Sequence, residues 1–147
     1  MDELRYHASR QAINLSPCVF ERAILVGCAQ CELARPHALA EREVVACSLE
    51  GARVNCTTLK KLFHERAKFP LRLSRAGAPI VHAKVMQLQC GGLRGLQAAL
   101  AAPGADVHTM VQKAKANDAS LLELPWGGIV AAIVAWQPRC RAPAPKA

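Results

Sequence analysis

Aromatic residues are scarce in this 147-residue chain: one Tyr, two Trp and three Phe, 4% in all. β-Sandwich cores and base-stacking nucleic-acid platforms both lean on aromatic rings, so neither is expected. No apolar run approaches the ~18 to 20 residues of a membrane span, and no membrane role is read. The opening MDELRYHASR carries two acids and no apolar stretch, so no secretory leader is read there. Catalytic signatures are missing too: no GxGxxG, phosphate loop, HExxH or paired-carboxylate site. CGGLRG at 90–95 is glycine-rich but in the wrong order for a phosphate cradle. A Cys–His nucleophilic pair has nothing to fix its geometry, so no enzyme is expected.

Acidic side chains are nearly absent from one contiguous third. Between residues 51 and 95 nine basic residues face a single acid, Glu65, so this stretch holds the whole formal charge of +8. The plain reading is a solvated helix face. The functional reading is a docking surface made by Lys60, Lys61, Arg66, Lys68, Arg72 and Arg75. With only Phe63 and Phe69 to stack on, nucleic acid ranks behind an acidic protein partner, for which a metalloenzyme is the expectation.

What the chain has in abundance is cysteine, at 18, 28, 31, 47, 56, 90 and 140. With no leader the expected compartment is the cytoplasm, where structural disulfides are rare; closely spaced thiols there are more often metal ligands or redox groups. Cys28-Ala-Gln-Cys31 is a CxxC, and the candidate metal ligands are Cys28, Cys31, Cys47, Cys56 and Cys90. Zinc sites favour two close pairs and the second is missing, whereas iron–sulfur clusters accept irregular spacing. An iron–sulfur cluster, [4Fe–4S], is therefore expected ahead of zinc. Gly91 and Gly92 are read as giving backbone N–H groups access to such a cluster. Cys18 reads as packing and Cys140 is left out of the site. His37, His64 and His82 are each weaker substitute ligands.

Two alternatives stand beside this. One is a metal-free or zinc-stabilised helical adaptor whose cysteines pack as small hydrophobes. The other is a thiol–disulfide protein, since Ala23–Val26 before the CxxC and Glu32 after it fit a strand–CxxC–helix order. The main reading is a small metal-binding protein for electron transfer, or an accessory docking factor for a larger metalloenzyme.

The fold expected is all-α: one irregular bundle of about five to six helices over 16–136, organised around the metal centre. An N-terminal arm (1–15) and a Pro/Arg-rich tail (137–147) flank it. Ser16-Pro17 is read as a helix start, Gly27 as a stop and 38–48 as a helix. A longer helix over about 53–68 carries Val54, Leu59, Leu62 and Phe63 on its apolar side. Cys90-Gly91-Gly92 is read as a break, Asp106 as the N-cap of a helix from Val107, and Trp126 to Trp136 as a strongly apolar last helix.

Overall fold

A computed structural model describes residues 16–39, 41–74, 78–117 and 120–138. The arm at 1–15, Arg75, Cys140 and most of the tail lie outside that set. The architecture is mostly helical with one small sheet. In chain order the elements are α1 (Glu21–Leu25), β1 (Ala34–Leu39), β2 (Arg42–Cys47), α2 (Glu50–Ala67), α3 (His82–Met86), α4 (Gly92–Leu100), α5 (Val107–Asn117) and α6 (Trp126–Ala135). A π-turn, Gln87–Gly91, joins α3 to α4, and a 3₁₀ turn, Leu121–Glu123, precedes α6.

The hairpin corrects the all-α expectation, and with it the helix over 38–48. β1 and β2 pair antiparallel with Ala34 opposite Cys47 and Leu39 opposite Arg42. Val44 and Val45 are both fully buried, which the stiff β-branched side chain favours in a strand and resists in a helix. The buried carboxylate of Glu21 accepts the Val45 N–H at 2.7 Å, pinning α1 across β2. Pro17 does not start a helix: it bridges Ala46, Cys18 N–H donates to Val45 O (2.9 Å), and Cys47 N–H donates to Ser16 O (2.8 Å). Residues 16–18 thus run as a short third rung beside β2. Gly27 does end α1, at φ +85°.

α2 begins three residues before the expected start, so Gly51 sits inside its first turn. Leu59 and Phe63 are fully buried, while Val54 is exposed, against expectation. Phe63 is central, its ring 5.9 Å from Phe20 and 6.0 Å from Trp126. Burying three rings together stabilises beyond the area they remove from water.

Gly91 and Gly92 do not break the chain, because helical structure runs unbroken from α3 through the π-turn into α4. Their role is close packing. A Cβ at Gly91 would lie 2.7 Å from Ile133 Cα, and one at Gly95 would lie 2.9 Å from Ile129 Cα, so α4 and α6 touch almost backbone to backbone. A Cβ at Gly92 would lie 2.5 Å from the Phe63 ring. These contacts replace the expected role of the glycines at a cluster. Asp106 caps α5 as anticipated, its Oδ2 accepting from Thr109 N–H at 3.0 Å and Thr109 Oγ1 at 2.8 Å. α6 buries Ile129, Ile133 and Trp126, whose Nε1 donates to Leu121 O. Among the described residues, no helix is long and apolar enough to cross a membrane.

Candidate functional site

Four cysteines from four separate segments line one small apolar cavity: Cys18, Cys31, Cys47 and Cys56. The backbone explains the convergence. The rung at 16–18 sets Cys18 beside the end of β2, where Cys47 stands opposite Ala34. Cys31 lies just before β1, its carbonyl accepting Ala34 N–H at 3.0 Å. Arg53 Nε donates to Pro17 O at 2.8 Å, which draws the first turns of α2, and so Cys56, over the same spot. Asp106 holds the far side: its Oδ1 accepts Glu32 N–H at 2.7 Å, while Val107 N–H donates to Gln30 O at 2.8 Å. Val107, His108 and Arg53 complete the wall.

The thiols respond to that enclosure and to each other. Burial pushes the Cys56 thiol up to about 12, and thiolate charge on Cys18, Cys31 and Cys47 pushes in the same direction. Burial likewise raises Cys18 to about 11. There the Phe20 backbone N–H and Arg53 pull downward, and charge on Cys31 and Cys47 adds to the rise. Cys31 is raised for the same leading reason. Cys18, Cys31 and Cys56 therefore resist ionising unless a cation shares the space. Cys47 donates its S–H to Leu49 O at 3.2 Å.

The CxxC does not act as a unit. Cys28 leaves the cavity, and its thiol is hydrogen-bonded to that of Cys90, which burial raises far above the ordinary thiol range. Residues 28–31 are not helical: Cys28 sits at a bend and Gln30 pairs with Asp106, so the two cysteines do not share a helical turn. Helix α1 precedes the motif and strand β1 follows it, the reverse of the strand–CxxC–helix order. Of the expected ligands, then, Cys31, Cys47 and Cys56 stand together, Cys28 and Cys90 form a second pair, and Cys18 joins the first group. Spacing alone gave no sign of Cys18 or of His108; the signal that existed was SPC at 16–18, a short extended stretch able to pair with REVVAC.

Four thiolates on one zinc at ~2.3 Å each place the sulfurs about 3.8 Å apart. Among the described residues no group of three or more Cys, His, Asp or Glu side chains is set to hold a single ion. The cavity is about 20 Å³, room for roughly one water. The donor set, four soft thiols in an apolar shell with one guanidinium near, is the kind that takes a thiolate-ligated centre, but a four-iron cluster is far larger than this closed cavity and enters only if its walls part.

Of the substitute ligands, His37 is exposed on β1, His82 pairs with Arg22 at 3.0 Å, and His64 has a buried Nε2 without a hydrogen-bond partner. Of the basic set, Lys60, Lys61, Arg66 and Arg72 are exposed and Lys68 half-buried. Arg66 lies over the Trp126 ring at 5.6 Å. Twelve residues of helical rise, about 18 Å, separate Cys56 from Lys68, so the basic end of α2 is remote from the cysteine cavity. Compared with protein-family models, curated proteins and solved structures, the chain matches none.

Proposed function

We propose that this protein holds a thiolate-ligated metal centre, a [4Fe–4S] cluster, on Cys18, Cys31, Cys47 and Cys56. The observation that carries the reading is that four thiols, brought from separate segments, line one apolar cavity. Iron–sulfur is preferred to zinc because the four cysteines come singly from separate segments rather than as two close pairs, and the cavity walls would part to admit the cluster. The bound cluster would supply a one-electron couple. The chain's own residues bind and tune it: the four cysteines give up protons, Arg53 offsets negative charge, and Val107 with Val19 and Leu33 limits water. Electron transfer to, or accessory docking on, a larger metalloenzyme is the role proposed. Lys61, Arg66, Lys68 and Arg72 are the surface offered to an acidic partner.

Anaerobic purification or reconstitution with iron and sulfide, followed by visible spectra and iron, sulfide and zinc analysis, tests this. A broad absorption near ~400 nm with about four irons per chain is expected. Cys18→Ser, Cys31→Ser, Cys47→Ser and Cys56→Ser proteins should each lose it, whereas Cys28→Ser and Cys90→Ser proteins should keep it. Stoichiometric zinc with no iron would select a structural metal site. Folded protein that takes up no metal would leave the cysteines as packing residues of a helical adaptor.

A further inference from the structure

A second concavity, of about 300 Å³, opens between α1, α2 and the turn from α3 into α4, on residues distinct from those of the cysteine cavity. That volume reaches the lower end of small-molecule sites. Its polar wall is Arg22, Lys60, His64 and Gln89, with no acid among the described lining residues. Arg22 donates to His82 Nδ1 and so keeps its full charge unneutralised by that contact. Lys60 has no ion-pair partner among the described residues. Its ammonium is held below the ordinary lysine range, chiefly by burial and then by the facing Arg22 charge. Gln89 is buried and its Oε1 is taken by the Ala23 N–H, leaving its amide nitrogen as a donor. His64 Nε2 is buried and unpartnered.

Donors therefore dominate the polar side, which selects an anion. The opposite side is Phe63, Ile80, Val85 and Leu88, which a bare inorganic ion would leave unused. We propose that this cleft binds a small amphipathic carboxylate, its head between Arg22 and Lys60 and its hydrocarbon body over Ile80, Val85 and Leu88. Seating the head neutralises two like charges that now face each other and offers the Gln89 amide nitrogen an acceptor. Lys60 and Arg22 are both exposed and stand at the mouth of the cleft, where an anionic head can reach them from solvent.

Octanoate is the probe, titrated calorimetrically into the full-length protein beside two controls, 1-octanol and inorganic phosphate. One saturable octanoate site is expected, with both controls binding at least roughly tenfold more weakly, a difference of about 1.4 kcal/mol. Lys60→Met and Arg22→Met should each weaken octanoate at least tenfold while keeping the wild-type melting temperature. Ile80→Glu, which sets a like charge on the apolar wall, should abolish it and serves if either cation variant misfolds. Octanol binding as tightly as octanoate would overturn the assignment, because the cations would then contribute nothing. Phosphate binding as tightly would overturn the apolar half. Absence of saturable octanoate binding by the folded wild-type protein would overturn it outright.

Discussion

Individual side chains do two kinds of work here, and the buried polar ones carry the most weight for their number. Glu21 is an acid in a largely apolar layer, and its carboxylate takes the Val45 N–H at 2.7 Å. Glu21→Ala should lower stability by about 1 to 3 kcal/mol, because the Val45 N–H is left buried without its acceptor; urea unfolding of the metal-free protein reads this directly. Asp106 is both helix cap and strut. Asp106→Ala should cost about 1 to 2 kcal/mol and also free the chain around Glu32. Faster amide exchange at Glu32 and Thr109 than at Leu96 is the accompanying signature. Asp106 was legible in the sequence as a cap, since an acid just before an apolar helical run has few other uses. Its grip on the cysteine loop was not, because a contact across 74 positions leaves no local trace.

At the level of elements, helices with a clear stop or start were readable and the hairpin was not. Val107–Asn117 and Trp126–Ala135 follow their signals, Asp106 and Pro125. Within 38–48, Ala40, Val44 and Cys47 recur at i, i+4 and i+7, which also suits a helix. Pairing with residues 34–39 and with the rung at 16–18 decides the matter, and neither pairing has a local signature. Cys90-Gly91-Gly92 misleads in the opposite direction. Glycine usually punctuates, but here its lack of a side chain lets α4 lie on α6 and under Phe63. Gly92→Ala should therefore destabilise, by about 1 to 3 kcal/mol, despite the higher helix propensity of alanine. A drop in melting temperature checks it, and a rise would show that the Phe63 ring moves aside freely. Gly104, where a Cβ meets nothing within 4 Å, is the control position.

Across the whole molecule, the cysteine enclosure makes a prediction about alkaline stability. Cys18 and Cys56 ionise at about 11 and about 12 in the fold, against 9.0 when free. Their folded values are raised, so the folded form holds these protons more tightly than the unfolded chain. The resulting stability is complete below pH 9 and is lost as pH climbs toward 11 to 12. Thermal melts of metal-free protein at pH 8 and 10.5 should show a clear fall. A Cys18→Ala/Cys56→Ala protein should show a smaller one. Sequence reading anticipated that dispersed thiols would gather, but not which ones. The motif at 28–31 looked like the nucleus, yet its bent, non-helical backbone leaves Cys31 at the cavity and Cys28 against Cys90.

Asp106, Val107 and His108 close the cysteine cavity from the far end of the chain, and that order has a consequence during synthesis. All four thiols leave the ribosome some fifty residues before their cover does. For that interval they are open to stray metals and to wrong disulfides, and the finished pocket forms only when α5 docks. The enclosure is thus completed only after α5 has been made and has docked, and until then the four thiols stay open on the growing chain.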